Sequence, residues 1–334
     1  MSKSASDVSR RLLLAALGLG LTGQRVYAQA NAYPNRAVKI VVPYAPGGGV
    51  DLLARMLGER LQKKWGQPVV VENKTGASTL IAATAAAKAA PDGLTLLLTS
   101  EATITSNPFL FEKLPYDPVR GLAPISKLVS LPQMVVAHPS VAARNLGELV
   151  EFAKAHPQEL NYASYGSGSL PHLFFESLKA KTGARVTQVP YKGIVPAVTA
   201  VQSGEVQLTL AGVSSSLALL RAGKLKALAV GRSSRLAELP EVPTLREAGL
   251  ADVDPGESWF GLFATGGTPS HIIAKINKDV MEIANEPTFL ERFVLSRGFE
   301  PVFSAPDAFA RLIETEMQQK ARLIRISGAK ADTE

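Results

Sequence analysis

The chain has 334 residues, a formal net charge of +7 and no cysteine. The lack of cysteine excludes disulfides, thiol catalysis and thiolate metal sites, and the four histidines do not have metal-ligand spacing. The positive charge is spread along the chain and is not clustered with aromatic residues, so it does not indicate a nucleic-acid partner.

The N-terminal segment has the pattern of an export signal. A basic pair, Arg10-Arg11, precedes an apolar run over residues 12–21, and small residues follow up to Ala30. This run is about half as long as a membrane-spanning helix. We therefore predict a cleavable signal peptide over residues 1–28 and a periplasmic protein. The Ser-Arg-Arg-Leu-Leu-Leu order is also compatible with the twin-arginine export route.

The rest of the chain alternates short apolar runs with amphipathic segments. The apolar runs predict buried strands at residues 38–42, 69–71, 94–98, 134–137, 160–164, 186–189, 206–210, 225–230 and 259–264. Helices are predicted between most of them, and strand–helix–strand order indicates parallel pairing with right-handed crossovers. The middle of the chain repeats this order with its own strands. We therefore predict an α/β fold of two lobes with a ligand cleft between them.

The clearest local signal is the glycine-rich segment Pro43–Asp51, between the first predicted strand and the first predicted helix. Glycines let a ligand approach the backbone closely, and a helix N-terminus offers unpaired N–H groups to an anion. The segment lacks the glycine patterns of nucleotide sites. It either binds an anion, with Tyr44, Gly47, Gly48 and Asp51 at the site, or forms only a tight turn in which Asp51 complements the helix dipole.

A similar segment, Tyr165–His172, ends a strand in the middle of the chain and precedes another helix. Two helix N-termini facing one cleft would suit the carboxylates of a small molecule. No acid or nucleophile near His172 in sequence completes a catalytic set, so a hydrogen-bonding role at the helix start is favoured. The candidate contacts in this turn are Gly166, Ser167, Ser169 and His172.

Two further small-residue turns are candidate walls of the same cleft. Ser78 and Thr79 follow the second predicted strand, and Gly212 follows a strand of the middle region. Helix capping is the competing interpretation of both turns. Besides Asp51, Glu101 is the only acid in any of these turns, which favours holding a ligand over transforming it. We expect no metal ion and no cofactor.

Many short segments, in the same order, resemble the substrate-binding receptors of tripartite tricarboxylate transporters, the Bug-type family. The matching segments are residues 33–34, 41–48 with Asp51, 66–73, 90–93, 114–118, 160–164, 189–193, 222–225, 243–244, 247–249 and 258–262. They extend over most of the chain that follows the predicted signal peptide.

The resemblance implies a two-lobe periplasmic-binding-protein fold that closes like a Venus flytrap (type II). One lobe would comprise residues 33–130 and 256–334, and the other would comprise residues 131–255. The two glycine-rich turns would hold a small carboxylate, largely through backbone groups and ordered waters. The implied partners are the large and small permease components of a membrane transporter.

Three turns depart from the family pattern. Ser78–Leu80 replaces Gly-Gly-Asn, Ser167 stands where asparagine is common, and Ala211–Ser214 replaces Asp-Asn-Leu-Pro. Each change removes a polar side chain from the expected cleft. The resulting hypothesis is a smaller, less polar or aromatic carboxylate ligand.

Two other functions remain open at this point. A ligand sensor would use the same closed surface to present its state to a membrane-bound kinase, and the sequence does not separate this role from transport. A secreted α/β hydrolase would need a Gly-x-Ser-x-Gly nucleophile elbow, which the sequence does not contain. We therefore predict that the protein is not an enzyme.

Overall fold

The computed structural model describes residues 33–330, except Gln158, Lys192, Gly298 and the side chains of Ser214, Ser215, Phe293 and Arg297. The predicted signal peptide, residues 1–28, lies outside the described residues. None of the helices in this described part is long and apolar enough to cross a bilayer.

Strands from two separate sheets form the framework. In chain order they are β1 (Val38–Val42), β2 (Val69–Asn73), β3 (Thr95–Ser100), β4 (Leu122–Leu131), β5 (Gln133–Ala137), β6 (Asn161–Ser164), β7 (Thr187–Pro190), β8 (Leu208–Gly212), β9 (Lys226–Val230), β10 (Ser258–Thr265) and β11 (Glu300–Pro301). The first sheet has the order β11-β4-β10-β3-β1-β2, and the second has the order β7-β6-β8-β5-β9.

Helices cover these sheets and connect their strands. They are α1 (Gly49–Trp65), α2 (Leu80–Ala87), α3 (Asn107–Leu110), α4 (Leu146–Ala155), α5 (Leu170–Thr182), α6 (Ile194–Ser203), α7 (Val213–Arg221), α8 (Ser270–Ala284), α9 (Pro287–Phe289) and α10 (Pro306–Ser327). A π-helical turn over Ala102–Ser106 precedes α3. The predicted α/β class is confirmed.

Both sheets are mixed, although the predicted parallel pairing holds for part of each. In the first sheet β1 pairs in parallel with β2 and β3, whereas β10 runs antiparallel to β3 and β4. In the second sheet β6 is parallel to β7 and β8, whereas β5 is antiparallel to β8 and β9. The carboxyl ends of β1, β2 and β3 therefore lie at one edge, and those of β6 and β8 lie at one edge of the second sheet.

The apolar periodicity of α1 explains how it packs on the first sheet. Leu53, Leu57 and Leu61 recur at helical spacing and are almost completely buried against this sheet. Burying each leucine side chain stabilises the fold by about 2 kcal/mol. Gly58 lies so close to β2 that a Cβ at this position would stand 3.3 Å from Val69. The body of the helix is therefore packed closely on the sheet.

Three segments connect the two sheets. Only Pro132 separates β4 from β5, and residues 231–257 return the chain from β9 to β10. Helix α10 packs on both units: its first half places Phe309 edge-on to Trp259 of β10, with ring centroids 5.1 Å apart, and its last turns place Ile324 beside Leu173 of α5.

Candidate ligand-binding site

The turns singled out in the sequence all lie at carboxyl ends of parallel strands. The turn after β1, the turn after β2 and the segment after β3 share one edge of the first sheet. The turns after β6 and β8 share one edge of the second sheet. In open α/β sheets, ligands bind at this end of the strands.

The turn after β1 presents the N-terminus of α1. Gly47 has a φ of +88°, which favours glycine, and Gly48 is the N-cap residue with extended backbone angles. No side chain among the described residues caps this 17-residue helix. Its first N–H groups and the positive end of its dipole are therefore available to an anion.

Asp51 holds this turn in place. Its carboxylate accepts hydrogen bonds from the Gly47 N–H at 2.8 Å, from Asn73 Nδ2 at 2.8 Å and from Arg55 Nε at 3.0 Å. Burial of this side chain would raise its pKa, but the bonds from Arg55, Gly47 and Asn73 hold the pKa below its ordinary value. Both carboxylate oxygens accept hydrogen bonds from within the chain. The geometry therefore favours a role for Asp51 in fixing the shape of the turn, not in contacting a ligand directly.

Tyr44 joins the first turn to the end of β3. Its hydroxyl lies 2.6 Å from Ser100 Oγ, and its carbonyl accepts a 2.9 Å hydrogen bond from Asn73 Nδ2. Burial raises the pKa of Tyr44 to about 12. The phenol therefore stays protonated and acts as a hydrogen-bonding group, not as an acid.

The turn after β2 has a strained backbone. Ala77, Ser78 and Thr79 all have positive φ values, +44°, +48° and +79°, although none is glycine. Asn107 holds the turn by donating to the Ser78 carbonyl at 2.8 Å, and Thr103 Oγ1 donates to Thr79 Oγ1 at 2.9 Å. Such strain costs about 1–3 kcal/mol per residue and persists only where the surroundings enforce it. Three consecutive residues of this turn therefore have backbone angles that favour glycine, although none of the three is glycine.

The turn after β6 presents the N-terminus of α5. Ser169 is the N-cap residue, and its hydroxyl donates to the Gly166 carbonyl at 2.7 Å, so it does not cap the helix. The Gly168 N–H donates to His172 Nδ1 at 2.9 Å. His172 is buried, and because Nδ1 accepts this bond, a neutral His172 carries its proton on Nε2. The hydrogen-bonding role predicted for His172 matches this geometry.

The turn after β8 borders a groove between the two sheets. Gly212 is the N-cap residue of α7, and Val213 begins that helix. Val213 and Phe299 both line a groove of about 810 Å³. The Phe299 ring also lies 3.0 Å from where a Cβ of Gly49 would stand, at the start of α1. Phe299 therefore lies between this groove and the start of α1.

Two observations bring the turns of the two sheets together. Gly168 lies against Leu110 of α3, because a Cβ on this glycine would stand 2.5 Å from Leu110 Cδ1. The negative charge of Glu101, after β3, also acts on the phenol of Tyr165, after β6. The turn after β6 thus lies beside the segment that follows β3.

Some supporting residues were not predicted from the sequence. Asn73 links Tyr44 to Asp51, and Asn107 fixes the strained turn. Asn73 ends β2, just beyond the strand predicted at residues 69–71, so its position was a usable signal, whereas Asn107 acts 29 residues from Ser78. Within residues 33–330, apart from the gaps named above, no three histidine or acidic side chains are grouped to hold a metal ion.

Comparisons with known proteins agree with this geometry. The family described as "Tripartite tricarboxylate transporter family receptor" matches residues 53–329. Protein BugT of Bordetella pertussis is 36% identical over 325 residues, which are 97% of this chain and 99% of that protein.

Two solved structures match most of the chain. The structure of periplasmic binding protein BugD has a TM-score of 0.72 at 32% identity and covers 90% of this chain and 100% of its own. MatC of Rhodopseudomonas palustris, with bound malate, has a TM-score of 0.71 at 34% identity and covers 87% of this chain and 100% of its own.

The fold and the facing turns define a solute-binding receptor of the periplasmic-binding-protein class, not an enzyme. The predicted two-lobe fold of this class is confirmed. The chain belongs to the receptor family of the tripartite tricarboxylate transporters, as its sequence resemblance implied.

Proposed function

We propose that the protein captures a small carboxylate between its two sheets and delivers it to a membrane transporter. The observation that carries this proposal is the pair of helices, α1 and α5, whose N-termini have no side-chain cap among the described residues. Each belongs to a turn at the carboxyl ends of parallel strands. A carboxylate that bridges both turns favours closure because it makes more contacts in the closed form.

The binding residues of this proposal are those of the candidate turns. They are Tyr44, Gly47, Gly48, Asp51, Ser78, Thr79, Gly166, Ser167, Ser169, His172 and Gly212. The ligand class is supported by MatC, which is similar over most of its length and holds malate. The lobes of the proposal are residues 33–130 with 256–334, and residues 131–255, and closure brings them together.

Location and partners extend the same proposal. The export signal predicted over residues 1–28 supports delivery to the periplasm. Membership of the receptor family supports work with the large and small membrane components of a tripartite transporter. Cleavage after Ala28 or Ala30, seen by mass spectrometry of protein from the periplasmic fraction, would establish export. Uncleaved protein in the cytoplasm would contradict this part of the proposal.

The binding proposal is tested by thermal shift and calorimetry with mono-, di- and tricarboxylates. A ligand that binds only the folded state raises Tm by mass action. Gly48→Trp is the blocking variant, because a Cβ at Gly48 meets only the Ala45 carbonyl at 3.6 Å and its φ is negative. The indole would therefore occupy the cleft without straining the turn.

Val119→Trp is the matched control, because Val119 is 62% exposed in a turn that precedes β4. We expect at least one carboxylate to raise the Tm of the wild type and of Val119→Trp but not of Gly48→Trp. No response to any carboxylate, or equal binding by Gly48→Trp, would contradict the proposal.

A further inference from the structure

Glu101 is a buried acid at the edge of the first sheet where the candidate turns meet. It directly follows β3 and is only 6% exposed. Its Oε2 accepts a 2.8 Å hydrogen bond from Ser258 Oγ and a 3.3 Å bond from the Trp259 N–H. These two donors begin β10, at the return from the second sheet to the first. Glu101 is therefore fixed where the two lobes join.

The surroundings of Glu101 place it between the two candidate turns. Its neighbour Ser100 bonds to the hydroxyl of Tyr44, which follows β1. Burial raises the pKa of both Tyr44 and Tyr165, and the charge of Glu101 raises both further. One tyrosine belongs to the turn before α1 and the other to the turn before α5. Glu101 thus lies beside the turn before α1 and interacts electrostatically with the turn before α5.

One oxygen of this carboxylate lacks a donor among the described residues. Oε1 of Glu101 accepts no hydrogen bond from any residue that the structure describes, and it is not fully enclosed. Lys320 of α10 interacts electrostatically with Glu101, but its ammonium donates to the Pro255 carbonyl, and no ion pair joins it to Glu101 in the described part of the chain. A carboxylate oxygen on a side chain with so little exposure strongly favours a hydrogen-bond donor.

Acidic side chains outnumber basic side chains around Glu101. Besides Lys320, the group contains Lys127, which pairs with Glu257 at 3.3 Å. The acids are Glu101, Asp254, Glu257 and Glu316, which interact with these lysines or with each other. Burial raises the pKa of Glu316 to about 7, so this acid is only partly ionised at neutral pH. The remaining three acids against two lysines oppose a second carboxylate beside Glu101 and favour a hydrogen-bond donor.

From this geometry we propose that the ligand carries a hydrogen-bond donor, an ammonium or a hydroxyl group, beside its carboxylate, and that Glu101 Oε1 accepts from it. The proposal rests on the carboxylate binding proposed above and specifies the ligand class further. The helix N-termini of α1 and α5 attract the anionic end, and Glu101 selects the other substituent. Glu101 also restores a charged group to a cleft from which the departures in the other turns remove polar side chains.

Acids with the same carbon chain but different substituents test whether Glu101 selects a ligand that carries a donor. Succinate, malate and aspartate share four carbons and two carboxylates, and they differ only in a hydrogen, hydroxyl or ammonium substituent at one carbon. Glutarate, 2-hydroxyglutarate and glutamate form the five-carbon set. Calorimetry on the full wild-type protein is expected to show about tenfold tighter binding of a substituted acid than of its plain partner, which corresponds to one charge-assisted hydrogen bond.

Glu101→Gln separates the two kinds of donor. Glutamine still accepts from a hydroxyl but no longer attracts an ammonium by charge. An ammonium preference should therefore fall about tenfold in this variant, whereas a hydroxyl preference should fall less. Glu316→Gln is the control for the general field, because it removes a partly ionised acid of the same group and leaves Glu101 in place. It should change the preference for a substituted acid by much less than Glu101→Gln does.

The results that contradict the donor proposal differ from the results that contradict the proposed function. If wild-type protein binds the plain acids as tightly as the substituted ones, the donor proposal is wrong, while carboxylate binding stands. An unchanged ratio in folded Glu101→Gln, checked by its unfolding transition, also overturns it. If neither set nor any other carboxylate binds wild-type protein, the proposed function itself fails.

Discussion

Gly168 of the turn after β6 lies directly against Leu110 of α3, so that a Cβ on the glycine would stand 2.5 Å from Leu110 Cδ1. Gly168 also has a φ of +73°. Both the backbone angle and the close approach require glycine here. We expect this contact to set the distance between the turn before α5 and α3.

We predict that Gly168→Ala destabilises the protein by about 2–4 kcal/mol, the sum of backbone strain and a steric clash. Gly183→Ala is the matched control, because Gly183 has nearly the same φ, +75°, but no atom within 4 Å of its Cβ position. It should cost only about 1 kcal/mol. Denaturant unfolding measures both changes.

A double-mutant cycle with Leu110→Ala isolates the clash. Removing the leucine side chain should relieve the clash but not the backbone strain, so Gly168→Ala should cost less in the Leu110→Ala background. Additive effects of the two substitutions would show that this contact does not set the spacing of the turn.

Asp51→Asn should destabilise the turn after β1. The change keeps the size of the side chain but weakens the bonds to Gly47, Arg55 and Asn73, and we expect a loss of about 1–3 kcal/mol. Because the pKa of Asp51 is lowered in the fold, its stabilisation is present at neutral pH and is lost as the pH falls through that lowered pKa. Unfolding titrations between neutral and acidic pH measure this loss.

The control for Asp51 is Glu59→Gln on the same helix, since Glu59 pairs with Lys63 on the exposed face. It should leave both unfolding and ligand binding unchanged. Asp51→Asn should also weaken carboxylate binding about tenfold through the displaced Gly47 N–H. Unchanged affinity would show that the turn keeps its shape without this bond.

Ser78→Gly should stabilise the protein by about 1 kcal/mol, because glycine adopts the φ of +48° without strain. The bond at Ser78 uses its backbone carbonyl, so the substitution retains it. Thr315→Gly, at an exposed position within α10, is the opposite control and should destabilise the helix. A melting temperature that falls in Ser78→Gly would contradict the strain argument.

Glu316 should make the stability depend on pH. Burial raises its pKa to about 7 from an ordinary 4.5, while the bond from Trp259 and the charges of Lys320 and Lys127 partly oppose this rise. The folded state therefore binds a proton that the unfolded state has released, so this contribution to stability falls as the pH rises from about 4.5 to 7.

Glu316→Gln should remove this fall, which amounts to at most about 3 kcal/mol. Glutamine still accepts the hydrogen bond from Trp259 Nε1, which the wild-type carboxylate accepts at 2.7 Å. The measurement is the difference in unfolding free energy between variant and wild type across this pH range. A difference that does not change with pH would contradict the raised pKa.

Local patterns were sufficient to predict the parallel core of the first sheet. The apolar run Val38–Val42, the glycine-rich turn and the leucines of α1 each carry their own signal. The strand Leu122–Leu131 was not predicted, because Pro124 and Lys127 interrupt its apolar character. Lys127 is nevertheless buried there, since its charge is paired with Glu257, 130 residues away.

Local sequence patterns also predict only part of the candidate site. The turns were predictable because glycine and small hydroxyl residues follow apolar runs. The position of Glu101 was not, because Ser258 and Trp259 fix it from 157 and 158 residues away. Similarly, the sequence of Ser78 and Thr79 does not reveal their backbone angles, which depend on Asn107 and Thr103.

The division of strands between the sheets determines the order in which the lobes can be completed during synthesis. All five strands of the second sheet lie in one continuous stretch, from Gln133 to Val230. In the first sheet, β10 lies between β3 and β4 and pairs with both. The edges of β3 and β4 that face β10 therefore stay unpaired until β10, which begins at Ser258, has left the ribosome. The sheet that carries the turn before α1 is therefore the last to be completed, and a nascent chain that ends before β10 lacks the strand that joins β3 to β4.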